Sequence, residues 1–168
     1  MMTDIDGALA AFDHALSLAK EPEAPFDALF ALTQALVGAK LFTFTTVDME
    51  RKLARRAYTS DPKSYPASGT KPVRQDRWFE QVHDARRMFV ANRLADIAKV
   101  FPDYALIGAL GCGSVINLPV VLGDELVGTV NILHGEEHYT PERQALVEKV
   151  LPVPAKAAYL AGRYLSRG

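Results

Sequence analysis

In the segment GCGSVINLPVVLGDELVGTVNILHG, Gly111 to Gly135, two apolar runs flank a Gly-Asp-Glu turn, and each keeps one asparagine among Val, Ile and Leu. Asn117, Asn131 and Cys112, the single cysteine of the chain, are the residues there with chemistry to offer. A carboxamide carries a donor and an acceptor, so a facing pair can satisfy each other, bond to loop backbone, or anchor a ligand. Left unpaired in an apolar wall, each would cost roughly 1–3 kcal/mol, so each must have a partner. We read all three residues as pocket-lining. Cys112 could act as a nucleophile only with a base to hold its thiolate, and His83 and His134 are the candidates. A thiol between two glycines also reads as a small packed residue. HGEEH, His134 to His138, has a metal-like histidine spacing, but Gly135 places it on a turn rather than a helix, and no metal site is assigned. RKLARR, Arg51 to Arg56, has no interleaved aromatics for base stacking and reads as a solvated strand edge.

Strand geometry decides where the asparagines point. A three-residue turn, Gly123-Asp124-Glu125, sets Leu122 opposite Leu126, which brings Asn117 opposite Asn131 and Val115 opposite Leu133. Directly opposed residues share a face. Ile116, Leu118, Val120, Val130 and Ile132 then form an aliphatic layer on the other face, suited to helices. A two-residue turn would break this pairing, because one step of register moves a side chain to the opposite face.

The elements that must position these residues follow from periodicity. Ile5, Leu9, Phe12, Leu16 and Ala19 share one helical face, which Glu21-Pro22 ends. A second helix fits Pro25 to Val37 with Gly38 as its stop. LFTFTTVD alternates as a strand, and KLARRAYT returns as its hairpin partner. SDPKSYPASGTKP is a loop with a short extended piece near Gly69 to Val73. A helix capped by Asp76 carries Trp78, Val82 and Ala85, and MFVAN is a short strand. Short helices broken at Phe101-Pro102 precede the strand pair. A last helix begins at Thr140-Pro141 and kinks near Leu151, where Pro152 and Pro154 interrupt it. The sum is an α+β domain with an antiparallel sheet and the terminal helices together on one face.

The totals bound the reading further. The 168 residues suit one domain spanning 1–168, with an N-terminal helix in 1–22 and the core and C-terminal helix in 23–168. Nineteen basic and twenty acidic side chains leave a net charge of −1, which gives no electrostatic reason to expect nucleic acid or a membrane. One cysteine, no basic n-region and no apolar run near the roughly 18 residues of a bilayer span fit a cytoplasmic protein.

GSVINLPVVLGDELVGTVNILH is similar to the signature of the GAF domain: a Ser-started strand ending in Pro, a tight turn, an Ile/Val-Gly-x-hydrophobic strand, then a polar loop and a long helix. With TSDPKSYPASGTKP, Trp78, FVAN and VFPDYALIGALGCGSVINLP, the chain resembles small stand-alone bacterial GAF proteins. The resemblance implies a six-stranded antiparallel sheet with helices on one face and, on the other, a ligand cavity covered by loops and short helices. It places Trp78 over the cavity mouth and Tyr58 at the end of a bordering strand, although both also suit an ordinary core. It puts Asn92, Phe101 and Asp103 in the covering segments, while Lys71 reads as a solvated loop lysine able to meet an anion.

The resemblance implies a sensor of a small organic metabolite. It would act as a homodimer through apolar stripes on its first and last helices, or through a protein partner, with no cofactor and no catalytic residue assigned. Two alternatives stay beside it, a dimerisation module with a filled core and a small cavity enzyme. The catalytic GAF subgroup, the free methionine-(R)-sulfoxide reductases, has acidic residues where this chain has Asn131, Leu133 and Val115. Such an enzyme also needs a resolving cysteine, and Cys112 lies too close to Ser114 to match the catalytic position.

Overall fold

Capping and proline placement set the helices. The Asp4 carboxylate accepts from the Gly7 amide at 3.0 Å and starts α1 (Ile5–Leu18). A second helix, α2 (Ala24–Leu36), stops where Gly38 takes a φ of +82°. In the computed structural model, which describes residues 3–67 and 69–167, these precede β1 (Leu41–Asp48), β2 (Leu53–Thr59) and β3 (Thr70–Pro72). Ser68, inside the predicted loop, lies outside the described residues, as do Met1, Met2 and Gly168. A helical turn, α3 (Arg77–Phe79), runs into a π-helical segment, Glu80–Asp84. Then come β4 (Phe89–Ala91), α4 (Leu94–Ala98), α5 (Tyr104–Ala109), β5 (Ser114–Leu122), β6 (Glu125–His134), α6 (Pro141–Val150) and α7 (Pro152–Leu165). The expected kink is a complete break at Leu151, with Pro152 opening α7.

The six strands form one antiparallel sheet in the order β3-β2-β1-β6-β5-β4. One face carries Phe42, Phe44, Ile116, Leu118, Val120, Val130 and Ile132, buried against Leu29, Leu32 and Leu36 of α2, Val147 of α6 and Ala155 and Ala158 of α7. Alternation sends Leu41, Val115 and Leu133 to the other face, where a smaller cluster includes Ile97 and Ile107 from the covering helices. The stripe of α1 is largely consumed inside the chain, because Ile5, Leu9, Phe12 and Leu16 join the first cluster. Among the described residues no helix is long and apolar enough to cross a membrane.

Two β-bulges determine which side chains face which layer. The β5–β6 turn has two residues, not three: Leu122 pairs with Glu125 across Gly123 and Asp124, at φ +57° and +63°. Positive φ at both positions matches the twist that a two-residue hairpin needs. The expected loss of register does not follow. Val120 pairs with Gly128 while Val121 pairs with Leu126, so Val127 is an extra residue that restores the pairing, and Asn117 does stand opposite Asn131. Beside this bulge the backbones draw close, and a Cβ on Gly128 would lie 2.4 Å from the Thr45 carbonyl oxygen. In the β1–β2 pair, Phe44 faces Tyr58 but Thr45 faces Arg56, so Ala57 is the second extra residue.

Candidate ligand-binding site

A cavity of about 320 Å³ lies between the sheet and its covering segments, at the small end of the range for ligand sites. Its floor is the inward face of β1, β6 and β5, with Thr43, Thr45, Thr129, Asn131 and Asn117. Val115, Leu133, Ile107 and Phe101 supply apolar wall, and the exposed Lys71, Pro72 and Arg74 edge it. Val82, at the end of the cover, is fully buried and helps to fix the π-helical segment.

A directional hydrogen-bond relay crosses the floor. The Trp78 indole Nε1–H donates to Asn117 Oδ1 at 2.9 Å, Asn117 Nδ2 donates to Asn131 Oδ1 at 2.8 Å, and Asn131 Nδ2 donates to the hydroxyls of Thr43 and Thr45, each at 3.1 Å. An indole can only donate, so Trp78 fixes the orientation of Asn117, which fixes Asn131 in turn. The asparagines are therefore bonded to each other and also aligned toward the cavity. Asp76, whose carboxylate accepts from the Phe79 amide at 3.0 Å, caps the turn that brings Trp78 down onto the sheet.

A second polar group stands at one side. Arg56 lies with its guanidinium 3.6 Å above the Tyr65 ring and donates to the Pro66 carbonyl at 2.8 Å. Its Nη2 is 3.9 Å from Asp103 Oδ2, an oxygen that also accepts from the Tyr65 hydroxyl. Burial and the Asp103 carboxylate raise the Tyr65 pKa, so Tyr65 remains a neutral donor.

Five of the eight residues expected in the site line the cavity: Trp78, Phe101, Asp103, Asn117 and Asn131. The other three lie elsewhere. Strand alternation would carry Tyr58 to the cavity face with Ala54 and Arg56, but the extra residue Ala57 turns it to the helix face. There its ring meets Phe26 and Phe42, and its hydroxyl donates to Asp27. Asn92 clamps the loop before α6, donating to the Tyr139 carbonyl at 3.0 Å and accepting from its amide at 3.1 Å. Cys112 is buried in the smaller core cluster, and burial pushes its thiol pKa up, opposed by the charge of Lys40.

Other expectations are corrected at the same time. Arg56 is not a solvated edge residue; its side chain, 17% exposed, enters the cavity while Arg55 stays outside. Lys71 belongs to β3 and reaches the rim. Thr43, Thr45, Thr129 and Tyr65 were not singled out. For the threonines the signal was present, since FTFT alternation puts Thr43 and Thr45 opposite the Phe face and Thr129 shares parity with Asn131. Tyr65 comes from a loop and has no such signal.

His134 and His138 stack, with centroids 3.5 Å apart. His134 Nδ1 accepts from the Gly135 amide at 2.8 Å, and His138 Nε2 lies 2.7 Å from the Val37 carbonyl oxygen. Among the described residues no three His, Cys, Asp or Glu side chains gather where they could hold a metal ion.

A sheet sealed by helices on one side and hollow on the other defines an α+β domain with a ligand-sized cavity. The sequence match names the family: a GAF domain model fits residues 19–151, and the chain belongs to that family of sensory and regulatory domains. No curated protein sequence matches the chain significantly. Among solved structures, the chain is similar to the GAF domain of an Acinetobacter phosphoenolpyruvate-protein phosphotransferase, with TM-score 0.70 and 8% identity over 100% of both chains. It also resembles the GAF domain of a two-component sensor histidine kinase from Bacillus halodurans, with TM-score 0.66 and 16% identity over 89% of this chain and 98% of that one. A free methionine-R-sulfoxide reductase from Neisseria meningitidis, in complex with its substrate, gives TM-score 0.65 and 16% identity over 95% of this chain and 90% of the other. At these identities the likeness establishes the fold.

Proposed function

We propose that this chain is a regulatory domain that binds a small organic metabolite in the cavity between sheet and cover. The observation that carries the reading is the Trp78–Asn117–Asn131 relay, which joins a covering element to the cavity floor. A ligand there touches both layers at once, so its binding alters how the cover sits on the sheet. The output passes to a second copy or to another protein. On α7, Val153, Leu160 and Tyr164 are 73%, 52% and 72% exposed and spaced to share one face, which suits a helical homodimer.

Cys112 weighs against the sulfoxide reductase alternative, since it is buried outside the cavity lining and its thiol is held protonated. The hollow likewise weighs against a dimerisation module with a filled interior.

A thermal-shift screen against a metabolite library tests the binding reading. A ligand at about 100 times its dissociation constant stabilises the fold by about 2.7 kcal/mol. The expected result is a saturable rise in melting temperature with a small set of related compounds. A library without one stabilising compound would leave the dimerisation reading in its place.

A further inference from the structure

We infer that the ligand of this cavity is an organic monocarboxylate, held with its carboxylate over a row formed by Arg56, Thr45 and Thr129. The inference rests on the binding reading above and adds the chemical class.

The register puts this row on the floor. Arg56 of β2 stands opposite Thr45 of β1, and Thr45 stands opposite Thr129 of β6. All three line the cavity. The hydrogen-bond relay fixes what they present. Because the relay starts at a donor-only indole, it reaches the Thr45 hydroxyl oxygen as a donor, so Thr45 spends a lone pair and keeps its proton. No acceptor for that proton lies among the described residues. Thr43, two residues along β1 on the same face, is in the same condition. The Thr129 hydroxyl has no partner among the described residues and can donate as well.

Arg56 supplies the charge. Its contacts with Tyr65, Pro66 and Asp103 fix the guanidinium in place, and among the described residues its Nε–H has no acceptor. The floor thus offers several donors in one row beside a cation held in position, and what is missing is an acceptor. A carboxylate supplies two acceptor oxygens to such a set. The charges agree in magnitude. The charged side chains lining the cavity are Arg56, Lys71 and Arg74 against Asp76 and Asp103, with Asp103 beside Arg56, a surplus of one positive charge that a monoanion balances and a phosphate dianion exceeds. Val115, Leu133, Ile107 and Phe101 receive the apolar remainder.

The test is calorimetric titration with straight-chain acids from butanoate to octanoate, alongside the primary amides and amines of the same lengths. Emission from Trp78, the single tryptophan, is followed in parallel. The expected result is that at some chain length the acid binds about tenfold more tightly than its amide and that the amine binds no better than the amide. Arg56→Gln should remove most of that acid preference. Equal or tighter binding of amides or amines would overturn the class while leaving the pocket reading intact, as would a folded Arg56→Gln protein that keeps the preference. No binding by any member of the three series would also overturn the class, while the metabolite screen decides the pocket reading separately. If Arg56→Gln does not fold, the acid-against-amide comparison on the natural sequence decides alone.

Discussion

At the residue scale, the relay behaves as a unit because each member orients the next. Asn117 is 3% exposed, so removing one partner leaves a buried polar atom without its hydrogen bond. Asn117→Leu is expected to cost about 1–3 kcal/mol in urea unfolding, and Asn131→Leu a similar amount. The double variant should cost less than the sum, with a coupling of about 0.5 kcal/mol or more. Strict additivity would mean that the two carboxamides do not depend on each other. His134 gives a second prediction. Burial first, then the nearby charges of His138, Lys40 and Arg143, lower its pKa below the usual 6.5. A proton on Nδ1 would also face the Gly135 amide instead of accepting from it. The unfolded chain therefore binds this proton more readily than the fold does, and stability falls as pH drops below about 6.5. In melting curves between pH 7.5 and 5.5, His134→Gln should lose that part of the slope; an unchanged slope would place it in other groups.

At the element scale, the bulges explain both what the sequence revealed and what it hid. Period-two alternation separated the aliphatic layer Ile116, Leu118, Val120, Val130 and Ile132 from Asn117 and Asn131, and the sheet bears out that division. The turn holds two residues where the sequence predicts three, and the extra residue Val127 restores the register, so Asn117 stands opposite Asn131 for a reason that the turn alone does not contain. No such offset occurred in β2. One extra residue at Ala57 reversed the facing of Tyr58 and left Arg56 in the cavity, because a bulge has no strong signature without its partner strand. The covering segment was legible only as far as Trp78, Phe101 and Asp103, since Tyr65 reaches the site through a loop whose path no periodicity encodes. The glycine beside the first bulge provides the check at this scale. Gly128→Ala should destabilise by about 1–3 kcal/mol through collision with the Thr45 carbonyl and the Phe44 ring. Gly123→Asn, at a turn position that asparagine tolerates, should be nearly neutral. Equal effects in urea unfolding would remove the close-approach argument.

At the scale of the whole molecule, the sheet separates two tasks. Its helical face is sealed by the larger core, while the opposite face keeps a cavity that can exchange with solvent. The family match covers α2 through α6 and leaves α7 outside, the helix that carries the exposed Val153, Leu160 and Tyr164. If that face joins two copies, Leu160→Glu with Tyr164→Glu should convert a dimer to a monomer in light scattering. A protein monomeric before substitution would assign the output to a different partner. The most direct test of the central claim is the indole resonance of Trp78 in a proton–nitrogen correlation spectrum, followed while the best stabilising metabolite is added. The account predicts that this resonance moves saturably, with the same dissociation constant as the thermal stabilisation. A compound that stabilises the fold and leaves the indole signal where it was would contradict it.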